Sequence, residues 1–265
     1  MSFKALVVGK SSFIAQALSR NPGNISLASR HELTLGLIQQ HDVVVNCSIA
    51  PEYGAAAYDE ATDVDLRIAR MVEKAGIHFV LLSTRRVYGQ HLHQQPLTES
   101  APLRAIDFYG SNKAETERRV ALLLGARCTI LRLSNVFGYE LGRRSFFGLA
   151  LGRLRREGQI LLDVSPFAVR DFIPVEGAAR VIAEVCGIKP PGIYNLGSAT
   201  GLQIGRVAEW LIAGYGRGEL LVTDLAERDN FVLDTGKLNT ALGRAPEAYD
   251  FNRIIRNIGE QLSHE

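Results

Sequence analysis

The sequence predicts a doubly wound α/β protein, in which helices cover both faces of a parallel sheet and a smaller C-terminal region follows. Short apolar runs of strand length recur along the first two thirds of the chain. Helix-length segments with apolar residues at three- and four-residue steps separate most of these runs. The apolar runs are continuous rather than alternating, which is typical of strands buried on both faces of a parallel sheet.

The predicted elements follow one another in the order that this fold requires. Strands are expected at residues 3–8, 25–28, 43–47, 79–82 and 128–133, and helices at 16–20, 55–74 and 111–124. Only residues 30–41 separate Ser29 from Asp42, which is scarcely room for a full helix and a further strand. A third strand in this interval is therefore expected to be rudimentary or absent.

The pattern loosens after Gly138. An amphipathic helix is expected at 143–156, short strands at 160–162 and 193–196, and the opening of another helix at 201–213. Turns or loops are expected in this part of the chain at Pro190 and Pro191 and at a glycine-rich stretch, 214–218. We interpret it as a smaller, substrate-facing region folded back on the sheet.

The composition excludes several classes of partner and site. Thirty lysines and arginines against 28 acidic residues give a net charge of +2, too balanced for non-specific nucleic-acid binding. No stretch reaches the roughly 18 apolar residues of a membrane span, and no leader cleavage site follows the first strand. Three cysteines without CxxC spacing suggest neither a disulfide framework nor a zinc site, so a reducing cytoplasm is expected.

The turn after the first strand is suited to a dinucleotide. Gly9 opens a run of small residues that leads into a helix, where free backbone amides and the positive helix end can face a pyrophosphate. A GxxGxxG loop would have glycine at the places held here by Ser12 and Ala15. Ala15 is small enough for close packing, and the Ser12 hydroxyl can donate to a phosphate. By itself the loop is equally typical of an ordinary strand-to-helix turn.

The end of the second strand bears on the choice of nicotinamide cofactor. An NAD enzyme usually has an acid there, about twenty residues after the first glycine, which accepts from the adenosine ribose hydroxyls. Ser29 and Arg30 occupy this place, and the Arg30 guanidinium can pair with a ribose phosphate. NADPH is therefore favoured over NADH. The alternative is that Arg30 is a solvated loop cation before a helix start at His31 and Glu32.

A tyrosine and a lysine four residues apart form the candidate catalytic pair. Tyr109 and Lys113 lie at a helix start and share one face. A phenol titrates near pH 10, but a nearby ammonium and a cationic nicotinamide ring both favour the phenolate, so Tyr109 can act as an acid or base. Thr84, at the end of a buried strand, would hydrogen-bond the same substrate oxygen. Without the other motifs, the YxxxK spacing would be equally typical of a partly exposed pair on a helix.

Taken together, these motifs resemble the extended short-chain dehydrogenase/reductases of the sugar-nucleotide epimerase, reductase and dehydratase family. The resemblance runs from end to end of the chain. Its signposts are the Gly9 turn, Ser83-Thr84 with Val87-Tyr88-Gly89, Tyr109 with Lys113, residues 131–138 (LRLSNVFG), residues 170–175 (RDFIPV), residues 194–197 (YNLG), residues 234–237 (DTGK) and Leu242-Gly243.

This resemblance implies an NAD(P)-dependent oxidoreductase acting on a nucleotide-linked sugar. It implies a Rossmann-type dinucleotide-binding domain at 1–138 plus 170–188, a substrate-binding region at 139–169 plus 189–265, and a homodimer formed by the helices at 55–74 and 111–124. The catalytic triad implied by it is Thr84, Tyr109 and Lys113, with Lys113 also holding the nicotinamide ribose. The other cofactor-binding residues expected are Gly9, Ser11, Ser12, Phe13, Ile14, Arg30 and Ser48.

The resemblance also implies residues that bind the substrate. Asn135 is expected beside the substrate, and Arg170 and, with a weaker match, Arg228 are expected to grip its diphosphate. A guanidinium suits that role because it pairs with phosphate through two parallel hydrogen bonds. Arg85 is expected to contact the substrate as well.

Departures from the family narrow the reaction. Sugar-nucleotide 4,6-dehydratases have an Asp-Glu pair directly after the catalytic threonine, whereas Arg85 and Arg86 stand here, which argues against dehydration. His91 and His93 lie two apart without a third ligand, so a polar loop is favoured over a metal site.

Three functions remain open at this point. We favour reduction of a 4-keto sugar nucleotide by NADPH with Tyr109 as general acid, since a plain reduction needs only the triad. The second is 4-epimerisation with tightly held NAD, which uses the same residues. The third is a non-catalytic NAD(P)-binding regulatory or scaffold relative, against which the intact triad argues.

Overall fold

The computed structural model describes residues 3–21, 23–90 and 95–265. Its strands and α-helices, in chain order, are β1 (Lys4–Val8), α1 (Phe13–Leu18), β2 (Asn24–Ala28), α2 (Leu35–Gln39), β3 (Val43–Asn46), α3 (Val64–Ala75), β4 (His78–Thr84), α4 (Phe108–Leu124), β5 (Cys128–Leu133), β6 (Asn135–Phe137), α5 (Phe146–Glu157), β7 (Gln159–Leu162), β8 (Val169–Pro174), α6 (Val175–Ile188), β9 (Gly192–Leu196), β10 (Gly201–Gln203), α7 (Ile204–Tyr215), β11 (Glu219–Val222), α8 (Gly236–Leu242) and α9 (Phe251–Ser263). Short 3₁₀ turns lie at Pro51–Gly54, Glu60–Thr62, Arg85–Tyr88 and Gly125–Arg127.

The main sheet has six parallel strands in the order β2-β1-β3-β4-β5-β9. The strand order reverses between β1 and β3, which creates a crevice at the carboxyl ends of these strands. Helices α1, α6 and α8 pack on one face of the sheet, and α2, α3 and α4 pack on the other. The predicted doubly wound α/β fold is confirmed.

The expectation for residues 29–42 is also confirmed. Within this fully described interval the chain forms the short helix α2 and no strand. Thr34 caps α2 by accepting a hydrogen bond from the Leu37 backbone amide at 3.1 Å. The chain then passes directly into β3, which pairs with β1.

Helix α3 starts later than the predicted helix at 55–74. Asp63 ends the irregular segment before it, because its carboxylate accepts from the Leu66 backbone amide at 2.9 Å and so caps the helix. Similarly, α1 starts at Phe13 rather than residue 16, since Ser12 accepts from the Ala15 amide at 3.1 Å. Residues 201–203 form β10 before α7 begins, because they pair antiparallel with β8.

A second core lies beyond the main sheet. It is formed by α5, α7, α9 and strands β7 and β8, with Phe137, Phe147 and Phe172 in mutual ring contact. Strand β9 belongs to the main sheet through its pairing with β5, although the boundary drawn from the sequence places residues 189–265 in the substrate-binding region. Its last three residues, Tyr194, Asn195 and Leu196, are buried beside β5.

Three expectations from composition concern other parts of the chain. His91 and His93 lie outside the described residues. The cysteines are free thiols, and Cys128 and Cys186 are buried. Among the helices of the described residues, none is long and apolar enough to cross a membrane.

Candidate active site

A cavity of about 290 Å³ opens at the carboxyl ends of the central strands. It is bounded by the start of α1, the segments that follow β3, β4 and β5, and the first turns of α4 and α5. Six residues predicted from the sequence line it together: Ile14, Ser48, Thr84, Tyr109, Lys113 and Asn135. Ligands of doubly wound proteins collect at this edge of the sheet.

The predicted dinucleotide loop lies beside this cavity. Gly9 has a φ of +94°, and a Cβ atom there would lie 2.9 Å from the Ser48 backbone nitrogen, so only glycine fits where the loop meets the end of β3. The Gly9 amide donates to the Ala28 carbonyl at 2.8 Å and ties the loop to β2. Ser11 is exposed, and the Ser12 oxygen is the cap of α1. The loop is thus held in place by its own backbone.

Thr84 and Tyr109 reach the cavity from two elements that pack closely. The Thr84 hydroxyl oxygen accepts from the Arg86 amide at 3.2 Å, which leaves its proton for a ligand. A Cβ atom at Gly110 would lie 2.6 Å from the Arg86 carbonyl oxygen, so its absence lets the first turn of α4 approach the turn after β4. The half-buried Tyr109 ring meets Tyr53 edge-on, with ring centroids 6.1 Å apart.

Lys113 is held by a buried carboxylate that sequence reasoning missed. Its ammonium donates to Asp65 Oδ2 at 2.7 Å and to the Leu82 carbonyl at 3.0 Å. Asn46 donates to the other Asp65 oxygen at 2.6 Å. Burial is the largest single influence and opposes the charged form of Lys113. The Asp65 charge, the Tyr109 charge and the Asp65 hydrogen bond together outweigh burial and raise the pKa of Lys113. Since an ammonium has three donors, one N–H remains for a ligand.

Glu117 supports the same face of α4 one turn farther along. It forms an ion pair with Arg132 at 2.7 Å, and both side chains are 3% exposed. The Ser83 hydroxyl, next to Thr84, donates to the same carboxylate. The sequence could have predicted that Glu117 shares this face of α4, because it continues the four-residue spacing of Tyr109 and Lys113.

The end of β2, where the sequence predicts the adenosine ribose to bind, has an acid nearby as well as the predicted cation. Glu32 accepts from the Ser29 amide at 2.6 Å and from the Lys10 ammonium at 2.7 Å, which spans from β2 to the dinucleotide loop. The Lys10 hydrogen bond and then the Ser29 amide lower the pKa of Glu32 to about 2. Arg30 is half-buried and donates to the His31 ring at 3.3 Å. Sequence reasoning read Glu32 only as part of a helix start.

The predicted substrate arginines are placed differently from one another. Arg85 forms a two-pronged ion pair with Asp229 and lies over the Phe231 ring at 4.1 Å. Arg170 lines a neighbouring cavity of about 400 Å³ between α5 and β7. Arg228 is paired with Asp224 and 52% exposed, and it lies in neither of these two cavities.

Arg170 has the environment of a cation suited to an anionic ligand. Its Nε atom is buried and has no hydrogen-bond partner among the described residues. Burial lowers the pKa of Arg170 despite the nearby Asp229 carboxylate. Arg153, Arg156 and Asp163 line the same cavity.

The fold and the cavity define an NAD(P)-dependent enzyme of the short-chain dehydrogenase/reductase type. The chain belongs to the NAD-dependent epimerase/dehydratase family, whose model matches residues 24–197. The resemblance read from the motifs and the prediction of an enzyme are both confirmed. No curated protein matches the chain by sequence.

Several solved structures share the whole fold at low identity. An NAD-dependent NDP-hexosamine 5,6-dehydratase, TunA, involved in tunicamycin biosynthesis, has a TM-score of 0.84 at 18% identity, covering 100% of this chain and 99% of that one. The UDP-N-acetylglucosamine 4-epimerase of Methanobrevibacter ruminantium M1 has a TM-score of 0.81 at 16% identity, with 98% and 97% covered. RMD from Pseudomonas aeruginosa, complexed with NADPH, has a TM-score of 0.78 at 17% identity, with 99% and 100% covered. Identities this low show the fold alone.

Proposed function

We propose that the protein reduces a 4-keto sugar nucleotide with NADPH. The observation that carries this proposal is the convergence of Thr84, Tyr109 and Lys113 on one cavity, with arginines in the two positions after Thr84. Both arginines are engaged in ion pairs, Arg85 with Asp229 and Arg86 with Asp107. A carboxyl pair that could eliminate water therefore does not follow Thr84, and the triad suffices for hydride transfer.

Each member of the triad has a separate task in this reduction. When bound in this cavity, NADPH would supply the hydride. Tyr109 donates its proton to the oxygen of the keto group as that oxygen gains negative charge. The free Thr84 proton hydrogen-bonds the same oxygen and fixes its position. Lys113 stabilises the phenolate that Tyr109 becomes after it has donated its proton. The remaining N–H of Lys113 can bind a ribose hydroxyl of the cofactor.

The nucleotide part of the substrate is assigned to the neighbouring cavity. Arg170, Arg153 and Arg156 supply positive charge there for a diphosphate. Asn135 lines the catalytic cavity and also a smaller one with Arg85, which supports a place beside the sugar. Arg228 remains a proposed contact, although its present partner is Asp224.

The preference for NADPH depends on the balance of charge beside β2. Lys10 neutralises Glu32 through a 2.7 Å ion pair, so Arg30 supplies a net positive charge at the end of β2. A ribose phosphate would find this charge favourable. NADPH thus remains the proposed cofactor.

Glu32 favours the alternative, a 4-epimerase with tightly held NAD. A carboxylate at the end of β2 is the group that accepts from the adenosine ribose hydroxyls in NAD enzymes. Removal and return of hydride at the same carbon would need no residue beyond the triad. The two reactions differ in whether the cofactor leaves oxidised after each turnover.

The proposal includes two predictions about the organisation of the protein, its domain boundaries and its oligomeric state. One is the division at 1–138 plus 170–188 and 139–169 plus 189–265, with β9 noted as part of the main sheet. The other is a homodimer through α3 and α4. Leu122, 75% exposed on α4, lies in a shallow groove between α3 and α4, and its exposure supports such a contact. The groove is lined by Leu66, Leu122 and Leu123 together with Arg70, Arg118 and Arg119.

The experiment that tests the proposal starts with the purified protein. Its bound nucleotide is released by denaturation and identified, and the protein is then mixed with NADPH and 4-keto sugars linked to UDP, dTDP or GDP. Stoichiometric NADPH oxidation, lost in Tyr109→Phe, is the expected result. Interconversion of 4-hydroxy sugar nucleotides by protein that retains NAD, without net NADPH oxidation, would instead establish the epimerase.

A further inference from the structure

Arg143 lies over the first residue of α1 although it comes from a distant part of the chain. The centre of its guanidinium is 4.7 Å from the centroid of the Phe13 ring. Arg143 also lines the catalytic cavity together with Ile14 and Ser48, two of the residues expected to bind the cofactor. A cation from the substrate-binding side therefore faces the dinucleotide loop across the crevice.

Close backbone packing places this arginine. A Cβ atom at Gly138 would lie 2.7 Å from the Phe13 ring, so glycine lets the segment after β6 approach α1. The Arg143 amide donates to the Glu140 carbonyl at 3.1 Å, which closes a turn before α5. Ser145 then caps α5 by accepting from the Gly148 amide at 3.0 Å. The turn is thus fixed at both ends.

Glu140 fixes the side chain of Arg143. The Glu140 side chain is fully buried, and its Oε2 lies 2.8 Å from Arg143 Nη1, whereas the Arg143 side chain is 49% exposed. A guanidinium has five N–H donors, so an ion pair through Nη1 leaves others for a ligand. Neither Glu140 oxygen has a hydrogen-bond partner among the described residues, so Glu140 attracts the Arg143 head group by charge and leaves its donors available to a ligand.

The ligand class follows from the surroundings of Arg143. Helix α1 has only six residues, and the loop's own cation, Lys10, is paired with Glu32 at 2.7 Å, so the loop supplies little uncompensated positive charge. A bridging diphosphate beside this loop would be bound more tightly with a cation opposite the loop amides, and a guanidinium binds phosphate oxygens through paired donors. Arg143 is the lining residue that carries this charge on the side of Phe13.

We propose that Arg143 binds the diphosphate of the nicotinamide dinucleotide from the side opposite the Gly9 loop, with Glu140 as its positioning residue. This inference rests on the cofactor part of the proposed function. A sugar nucleotide carries the same diphosphate chemistry, but the contact with Phe13 favours the cofactor as its source.

The test compares Arg143→Gln with Arg144→Gln, an adjacent exposed arginine of equal charge. Isothermal titration calorimetry measures binding of ADP-ribose, which has the cofactor's diphosphate but no nicotinamide. It also measures binding of whichever of UDP, dTDP and GDP binds the wild-type protein. Because Arg143→Gln leaves a buried carboxylate unpaired, the double variant E140Q/R143Q is measured as well, so that a loss of folding is not mistaken for a loss of contact.

Both Arg143 variants are expected to weaken ADP-ribose binding about tenfold, while Arg144→Gln changes it by less than about twofold. Binding of the nucleoside diphosphate should be unchanged in all variants. The proposal is overturned if ADP-ribose binding is unchanged, if Arg144→Gln has the same effect, or if only the nucleoside diphosphate is weakened. Failure of wild-type protein to bind ADP-ribose would instead refute the cofactor assignment, and absence of turnover alone would refute only the proposed reaction.

Discussion

The Lys113 ammonium and the Asp65 carboxylate face each other at 2.7 Å, with side-chain exposures of only 2% and 5%. The proposed catalytic lysine therefore has its own counter-charge, supplied by α3 across the end of the sheet. Further titratable groups interact electrostatically with Lys113 or Asp65: Asp63, Tyr53, Tyr109, Cys47 and Cys128. The pair places the ammonium and keeps it protonated in a site that burial alone would make unfavourable for charge.

Asp65→Asn should destabilise the protein by about 3–5 kcal/mol near neutral pH, because it leaves the buried ammonium without its carboxylate. In the wild type the raised pKa of Lys113 contributes stability that is present below the unfolded-state pKa and lost as pH rises through the folded-state pKa. In the variant, only Tyr109 and Asp63 still oppose burial, which is the largest influence and favours neutral lysine. The difference in unfolding free energy should thus shrink from about pH 7 to about pH 10 in urea titrations.

The double variant D65N/K113M is the control for this prediction. It removes both charges, so no buried ammonium is left without a partner, and it should be more stable than Asp65→Asn at neutral pH. Equal stability of the two variants at every pH would show that the ion pair does not hold Lys113 in its charged form.

Tyr109→Phe should lower turnover by about 10²- to 10⁴-fold, since it removes the proposed proton donor. Cofactor binding should change by less than about twofold, because the ring and its contact with Tyr53 remain. Steady-state kinetics and a cofactor titration measure the two effects. Tyr53→Phe is the matched control: its hydroxyl pairs with Thr116, away from the catalytic cavity, so its loss should leave turnover nearly intact. Comparable losses in both variants would contradict the role of Tyr109.

Arg30 and Glu32 should move the cofactor preference in opposite directions. Arg30→Ala removes the cation proposed for the ribose phosphate and should weaken NADPH binding about tenfold relative to NADH. Glu32→Gln removes an ionised carboxylate and should favour NADPH by a similar factor. Dissociation constants for both cofactors, measured at one fixed ionic strength, give the ratio. An unchanged ratio in both variants would show that the end of β2 does not select the cofactor.

The sheet could be predicted from the sequence because buried parallel strands leave a direct trace. Each of the five expected apolar runs is a strand of the main sheet. The short interval after Ser29 correctly predicted that no further strand lies between β2 and β3. The partners of Lys113 left no such trace. Asp65 is one polar residue on a helix whose start depends on the Asp63 cap, and its contact with α4 depends on how two helices pack on one face. The position of Arg143 could not be predicted from the sequence either, since only the close approach at Gly138 brings it to Phe13.

Substitution of Arg170 should weaken nucleotide binding much more than substitution of Arg228. Arg170 lines the cavity between α5 and β7 and has a buried Nε without a partner among the described residues, so an anionic ligand would complete its hydrogen bonding. Arg228 is exposed and already paired with Asp224. Arg170→Ala should therefore weaken nucleoside diphosphate binding about tenfold or more, and Arg228→Ala by less than about threefold.

Calorimetry with the nucleoside diphosphate, and with ADP-ribose as the control ligand, measures both variants. ADP-ribose binding should be unaffected by Arg170→Ala, since this arginine lies outside the residues that line the catalytic cavity. A larger effect of Arg228→Ala would reverse the assignment. It would mean that the loop carrying Asp224 and Arg228 exchanges its internal ion pair for a contact with the nucleotide, because only such an exchange brings an exposed, paired cation to the diphosphate.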